Sequence, residues 1–277
     1  MCSASHKVSL LVVFLICGIA RAEDAPRVLR VCSDPNNLPF SNDKLEGFEN
    51  RIADVIARDL GMKVEYTWRA QRRGFMRESL KNGNCDIVIG VPRQMEMCLT
   101  STPYYRSSYA FVSPRQKQLK IKSLDDPRLA NLKVGVQVGI ESATPPAQAL
   151  ARRGIVTNLV GYTIVGNYLE PNPPAAIVDA VANGDVDVAL VWGPLAGYFA
   201  KKQSVPLDVV AVEPSESDAN LPMTFDICVG VRRTEKSLRD RINQILARRQ
   251  SEIDRILDEY GVPRLPITEQ SKPEEVK

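Results

Sequence analysis

The chain of 277 residues contains a single histidine, His6, which lies in an N-terminal stretch that we predict to be removed. Without an imidazole, the remaining chain cannot form a Ser-His or Cys-His catalytic pair, a zinc site of the usual kind, or a Cys-x-x-Cys-His haem attachment. No Gly-x-Ser-x-Gly motif is present either. The sequence therefore predicts a protein that is not an enzyme and that holds no cofactor or metal.

An apolar run long enough to cross a bilayer is also missing. Residues 8–20 are mostly apolar, but a span needs about 20 such residues. Lys7 precedes this run, and Ala20-Arg21-Ala22 follows it as a small-x-small cleavage signal. We therefore predict a signal peptide over residues 1–22 and a soluble periplasmic product without a membrane anchor.

The sequence has no strong excess of charge of either sign. The chain carries 36 basic and 33 acidic residues, and removal of Lys7 and Arg21 with the signal peptide leaves 34 basic residues. A balance this close to neutral does not indicate a nucleic acid or an anionic membrane as the partner.

Cysteine is scarce after the signal peptide, where the chain has only four cysteines. They are Cys32, Cys85, Cys98 and Cys228. An even number in an oxidising compartment favours disulfides, and three pairings are possible. We expect a bridge between Cys85 and Cys98, which enclose a short loop. A metal site is the alternative, but the chain has no Cys-x-x-Cys spacing.

One pattern occurs twice in the chain. Residues 82–92 and 183–194 each place Asn-Gly before an apolar, β-branched run, with Gly83 and Gly184 separated by 101 positions. A Gly that ends a helix and a β-branched run after it are typical of a helix followed by a buried parallel strand. The repeat predicts an α/β chain of two similarly wound lobes with a cleft between them.

We expect the chain to cross between the lobes twice, so that the crossings form a two-segment hinge. The predicted ranges are residues 23–113 for the first part of lobe 1, 114–215 for lobe 2, 216–262 for the return to lobe 1, and 263–277 for a disordered tail.

Several segments resemble the type II periplasmic solute-binding proteins, in particular the branch that binds polar amino acids. These segments are Gly47-Phe48-Glu49-Asn50, Asp59-Leu60-Gly61, Cys85-Asp86-Ile87-Val88, Thr102-Pro103-Tyr104-Tyr105, Lys133-Val134-Gly135-Val136-Gln137 with Gly139, and Gly184 with Asp187. They cover almost the whole chain after the signal peptide. The resemblance implies two lobes that close on a ligand.

The chain differs from that branch at two positions whose residues bind the amino-acid ligand. Where the branch has an Arg for the ligand carboxylate, this chain places Gln94, with Arg93 one residue away. Where it usually has an acidic residue for the ligand ammonium, this chain has Trp192. An indole cannot replace that charge, so we do not expect a standard amino-acid receptor. Trp192 could floor an apolar pocket or plug the cleft, and core packing is the alternative.

A narrower family shares the unusual segments. Residues 32–42, 71–75, 103–107 and 192–200 together resemble the quinoprotein-dehydrogenase-associated binding proteins, the J-type periplasmic proteins found with methanol dehydrogenases. This resemblance implies an accessory of a pyrroloquinoline-quinone (PQQ) dependent methanol dehydrogenase that assists its activation or maturation, with the dehydrogenase and possibly its cytochrome c as partners. The alternative is the receptor of an ABC importer for a small organic solute other than a standard amino acid.

We expect the ligand or partner to bind in the cleft. Asp34, Asn36, Asn37 and Phe40 follow the first predicted strand, at the sheet edge where α/β clefts bind ligands, although Asx-rich turns also occur there for backbone reasons alone. Gly139 and Glu141 precede a predicted helix, whose free amide groups favour an anion that Glu141 would oppose. The full set of predicted cleft residues is Asp34, Asn36, Asn37, Phe40, Trp68, Arg93, Gln94, Tyr104, Tyr105, Arg106, Gly139, Glu141 and Trp192.

Overall fold

The computed structural model describes residues 27–93, 95–139, 143–164 and 168–267. The predicted signal peptide, Gln94 and Glu141 lie outside the described residues, as do residues 268–277 of the predicted tail.

The described chain contains both β-strands and α-helices. The elements are β1 Val28–Ser33, β2 Asn36–Asn37, β3 Ser41–Asn42, α1 Phe48–Leu60, β4 Lys63–Trp68, β5 Ile87–Pro92, β6 Leu99–Thr100, β7 Tyr105–Pro114, β8 Val134–Val138, α2 Pro145–Arg152, β9 Leu159–Thr163, α3 Ala176–Asn183, β10 Val188–Trp192, α4 Gly193–Ala200, β11 Leu207–Ala211, β12 Thr224–Val231 and α5 Lys236–Glu259.

Ten of these strands form one curled sheet, whose main path has the order β4-β1-β5-β12-β7-β10-β8-β9, and β2 and β3 form a separate hairpin. Pairing is parallel in β4-β1-β5 and again in β10-β8-β9, and antiparallel around β12 and β7. Strand β6 adds to β12, and β11 adds to β7. We call β1, β4, β5, β6 and β12 with α1 and α5 lobe 1, and β8 to β11 with α2 to α4 lobe 2. The α/β class and the two lobes predicted from the sequence are confirmed.

Strand β7 joins the lobes. Its first residues, Tyr105 to Ser108, pair with β12 of lobe 1, and the rest of the strand pairs with β10 and β11 of lobe 2. The chain returns just before β12, where the Met223 carbonyl accepts a hydrogen bond from the Tyr109 amide at 2.9 Å. Two adjacent crossings therefore form the hinge that links the lobes.

Each lobe has its own apolar core. In lobe 1, α1 and α5 cover β1, β5 and β12, and the stripe Ile52, Val55, Ile56 and Leu60 of α1 is fully buried. The helix ends at Gly61, which adopts the left-handed conformation. In lobe 2, apolar clusters lie on both faces of the sheet, as expected for parallel strands between helices.

The two Asn-Gly turns have the conformation that the repeat predicts. Gly83 and Gly184 have φ angles of 77° and 82°, and each turn leads into a buried central strand, β5 and β10 respectively. Gly184 ends α3, whereas the turn before Gly83 is π-helical over Arg77–Lys81. The repeat therefore places equivalent elements in the two lobes.

The expected bridge between Cys85 and Cys98 is wrong. Cys85 is bonded to Cys32, with a Cα–Cα distance of 5.6 Å, because β1 and β5 are neighbours in the sheet and bring these residues together from 53 positions apart. Cys98 and Cys228 are buried free thiols in the same apolar cluster. Sheet order, rather than distance along the chain, decides the pairing.

Part of the predicted disordered tail lies against β7. The carbonyl of Pro263 accepts a hydrogen bond from the Ser107 hydroxyl at 2.6 Å, and the Leu265 amide donates to the carbonyl of Arg106 at 2.9 Å. Residues 263–267 are thus fixed at the crossing strand.

Candidate functional site

A cavity of about 270 Å³ lies between the two lobes. Lobe 1, lobe 2 and the crossing strands all contribute to its lining. The lining residues are Asn37, Phe40, Glu49, Gln71, Gly90, Pro92, Tyr105, Tyr109, Gln137, Ile164, Trp192, Leu195, Phe225 and Ile227. Four of the predicted cleft residues are among them, namely Asn37, Phe40, Tyr105 and Trp192.

Three aromatic rings form one wall of the cavity. Tyr109, Trp192 and Phe225 pack edge to face, with ring centroids 5.5, 5.6 and 6.4 Å apart. Such contacts add to the apolar burial and hold the rings in fixed positions. The amide of Trp192 also donates a hydrogen bond to the Gln137 side-chain oxygen at 2.8 Å, which fixes the end of β10 against the end of β8. We call Tyr109, Trp192 and Phe225 the aromatic wall.

Two further rings reach the cavity from the lobe 1 side. Phe40 and Tyr105 both pack edge to face on Phe48, at 5.4 and 6.2 Å between centroids, and Phe48 is completely buried. Phe40 lies in the turn between β2 and β3, whereas Tyr105 begins the crossing strand β7. The cavity is therefore lined by five aromatic side chains anchored in different elements.

Among the described residues that line the cavity, Glu49 is the only charged one. It lies in the first turn of α1 and is 9% exposed, and its carboxyl lies against Gly90 of β5. A Cβ atom at residue 90 would lie 1.9 Å from the Glu49 Oε1 atom, so only Gly permits this approach. Burial, together with the nearby Asp34 carboxylate, raises the pKa of Glu49 to about 8. Within the described part of the chain, no hydrogen bond or ion pair reaches this carboxyl.

Sequence reasoning missed Glu49 as a site residue and treated it only as part of a family motif. Two signals were available. An acidic residue begins a helix whose next residues form an apolar stripe, and a Gly interrupts the β-branched run of β5. Their contact, across 41 positions of the chain, depends on the packing of α1 over β5.

Asp34, by contrast, has a full set of hydrogen bonds. Its carboxylate accepts from the amides of Asn36 and Gln71, at 2.9 and 2.7 Å, and from the Tyr168 hydroxyl of lobe 2. The Asn36 side chain in turn donates to the carbonyl of Glu170 in lobe 2, at 3.0 Å. These contacts join the lobes beside the cavity, and we call them the latch.

Leu38 adds an apolar contact to the latch. It belongs to the turn between β2 and β3 of lobe 1, yet it is 5% exposed and lies in the same apolar cluster as Val178 and Leu195 of lobe 2. The segment between Asp34 and Phe40 is therefore packed into the opposite lobe.

Five more of the predicted cleft residues that the structure describes are not part of the cavity lining. Trp68 stacks on Tyr66 at 4.5 Å, and Tyr104 is buried in the core of lobe 1. Arg93 and Arg106 both approach the Asp226 carboxylate, at 3.9 and 3.3 Å. Gly139 follows the end of β8. Neither guanidinium is among the groups that line the cavity.

The described residues contain neither a metal-binding cluster nor a membrane-spanning helix. No cluster of three or more Cys, Asp, Glu or His side chains within them is placed to hold a metal ion. None of the helices in the described ranges is both long enough and apolar enough to cross a membrane.

Comparison with known proteins gives consistent matches over nearly the same range. The family model of the bacterial extracellular solute-binding proteins, family 3, matches residues 29–263. Protein MoxJ of Methylorubrum extorquens is 32% identical, over 87% of this chain and 82% of that protein. Protein MoxJ of Paracoccus denitrificans is 29% identical, over 86% of this chain and 89% of that protein.

A solved structure shows the same fold. The crystal structure of the periplasmic binding protein XoxJ from Methylobacterium extorquens superposes with a TM-score of 0.72 at 35% sequence identity, and the match covers 86% of this chain and 100% of that one.

Proposed function

The chain belongs to the bacterial extracellular solute-binding proteins of family 3, as a MoxJ-type periplasmic binding protein, and on this premise we propose that it is an accessory of a PQQ-dependent methanol dehydrogenase. It assists activation or maturation of that enzyme in the periplasm by holding a segment of its partner in or near the inter-lobe cleft. The dehydrogenase, and its cytochrome c, are the proposed partners. The protein itself binds without catalysing a reaction.

The observation that carries this proposal is the aromatic wall. It contains Trp192, which stands where an amino-acid receptor usually has an acidic residue to bind the ligand ammonium. A zwitterion requires a cationic group for its carboxylate, but no Lys or Arg is among the lining residues that the structure describes. Arg93 is engaged with Asp226, and Trp192 packs between Tyr109 and Phe225. A mostly apolar lining of this kind suits side chains of a protein segment better than an amino acid.

A second candidate function is the receptor of an ABC importer for a small organic solute other than a standard amino acid. A specific observation favours it, since a cavity of about 270 Å³ lined by both lobes has room for a small molecule. In this case the ligand would be free in the periplasm, and no dehydrogenase would be bound.

The test uses the two tryptophans of the chain as a matched pair. Tagged wild-type protein, Trp192→Ala and Trp68→Ala are each used to capture purified methanol dehydrogenase and its cytochrome c. Trp68 lies outside the cavity lining, so its loss leaves the cleft unchanged. We expect wild type and Trp68→Ala to capture the dehydrogenase and Trp192→Ala to lose it. If wild type captures neither protein above a control bait, the accessory function is refuted, and solute panels then test the importer function.

A further inference from the structure

The charged groups at the cavity, Glu49 and the nearby Asp34, are both acidic. Glu49 lines it as a carboxyl that is nine-tenths buried and has no hydrogen-bond partner in the described chain, and the buried Asp34 carboxylate lies near enough to affect its ionisation. No cationic side chain is among the lining residues. A buried acidic group without a partner costs free energy unless a ligand satisfies it. The ligand is therefore expected to bring a positive charge.

The aromatic side chains around Glu49 are suited to the same kind of charge. The faces of Trp, Tyr and Phe rings attract cations, and Trp attracts them most strongly. The cavity contains Trp192 together with two Tyr and two Phe rings. Aromatic cages of this composition recognise ammonium groups that carry alkyl substituents, because the rings bind the charge and the apolar groups together.

Other ligand classes fit less well. A metal ion needs several converging oxygen ligands, whereas the Asp34 carboxylate is already used by two amides and the Tyr168 hydroxyl. An anion would meet an acidic residue. A neutral apolar ligand would leave the Glu49 carboxyl without a partner.

We propose that the inter-lobe cleft binds an alkylammonium group, with Glu49 as its counter-ion and the aromatic wall as its cage. The ligand is either the side chain of a lysine in the segment presented by the partner, in which case the inference rests on the proposed accessory function, or a free amine. Both share one chemistry, a primary or methylated ammonium on an apolar stem.

The ionisation of Glu49 fits this role. Its raised pKa keeps the carboxyl neutral near pH 7 when no cation is beside it, and an ammonium group supplies the opposite charge that favours ionisation. Gly90 lets the carboxyl pack directly against β5, since a side chain at residue 90 would collide with it.

The experiment compares charged ligands with neutral ligands of the same shape by isothermal titration calorimetry. One pair is choline and 3,3-dimethyl-1-butanol. The other pair is Nα-acetyl-lysine methylamide and its norleucine counterpart, and the latter pair represents a partner side chain. We expect wild type to bind at least one charged member about tenfold or more tightly than its neutral counterpart, which is the usual range for a desolvated charge contact.

Two variants separate charge from folding. Glu49→Gln keeps the volume of the side chain and removes its charge, and Trp192→Leu keeps an apolar side chain and removes the indole face. Both should lose about tenfold or more in affinity for the charged ligand and keep their affinity for the neutral one. Equal affinity of wild type for both members of each pair, or unchanged affinity in both variants, overturns the inference.

Failure of this inference differs from failure of the proposed function. If dehydrogenase capture depends on Trp192 but no ammonium ligand is preferred, the accessory function stands and the ammonium site is refuted. If ammonium ligands bind and no dehydrogenase is captured, the site stands and the ligand is a free amine.

Discussion

The ionisation of Glu49 gives a test of the cleft that needs no ligand. The Glu49→Gln substitution keeps the size of the side chain but removes its acidic proton. In the wild-type protein the pKa of Glu49 is raised from 4.5 to about 8, chiefly because the carboxyl is buried and also because Asp34 is near. The folded protein therefore keeps a proton that the unfolded chain releases above about pH 4.5.

The sign of the effect on stability follows from that difference. Below about pH 4.5, Glu49 is protonated in both states and the folded state has its full stability. Between that pH and about 8, the folded state binds one more proton than the unfolded state, so the free energy of unfolding falls as the pH rises. One pKa unit corresponds to about 1.4 kcal/mol, so the loss reaches at most about 5 kcal/mol. The amide groups at the start of α1 favour the ionised form and reduce that value.

The tyrosines near the carboxyl do not ionise in this range. Asp34 is near enough to raise the pKa of Glu49, and Tyr66, Tyr104 and Tyr105 are the tyrosines that interact with it. Burial raises the pKa of Tyr66 to about 12 and that of Tyr104 and Tyr105 well above 10, so none of the three ionises below pH 8. The change between pH 5 and 8 is thus assigned to Glu49.

Urea unfolding followed by circular dichroism at pH 5, 6, 7 and 8 measures the effect. We expect the wild-type free energy of unfolding, relative to that of Glu49→Gln, to fall by a few kcal/mol across this range. The exposed Glu65 on β4 provides a matched control, because Glu65→Gln should follow the wild type at every pH. Parallel curves for wild type and Glu49→Gln would refute the reasoning, since they would mean that folding does not change the ionisation of this carboxyl.

Three further predictions concern the latch and the cysteines. Tyr168→Phe removes the hydroxyl that donates a hydrogen bond to Asp34 and should raise the radius of gyration measured by small-angle X-ray scattering. An unchanged radius of gyration would mean that the latch does not hold the lobes together. Leu38→Ala should lower the free energy of unfolding by about 2–4 kcal/mol in urea titrations, and a loss below 1 kcal/mol would contradict its burial in lobe 2. Burial raises the pKa of Cys98 to about 11 and that of Cys228 to about 12. In protein lacking residues 1–22, these two thiols should therefore react with a thiol reagent at pH 8 only after unfolding. Rapid reaction of the native protein would contradict this.

Local patterns in the sequence were sufficient to predict the elements that define the fold, namely helix α1, the Asn-Gly turns and the two lobes. The apolar stripe of α1 and the left-handed Gly61 that ends it depend on neighbouring residues alone. The same holds for the Asn-Gly turns, whose repetition predicted two lobes. Helix α4 was not predicted, although Pro194 in its first turn is a signal for a helix start.

What the sequence did not predict depends on distant contacts. Cys32 and Cys85 meet because β1 and β5 are neighbours, and the order of strands in a sheet is not set by spacing along the chain. The environment of Glu49 likewise requires α1 to pack on β5 above Gly90. A cleft between two lobes was predicted, whereas Glu49, the one charged residue among its described lining residues, was not.

The burial of Leu38 in the opposite lobe has a consequence for the rate of binding. Separation of the lobes exposes this side chain to water, at a cost of about 1.5–3 kcal/mol. The open form is then a minority species, on the order of one molecule in ten to one in a hundred and fifty. A ligand that can enter only the open form binds no faster than the lobes separate. Its observed rate of association therefore reaches a plateau as its concentration rises, and the height of that plateau is set by the protein alone.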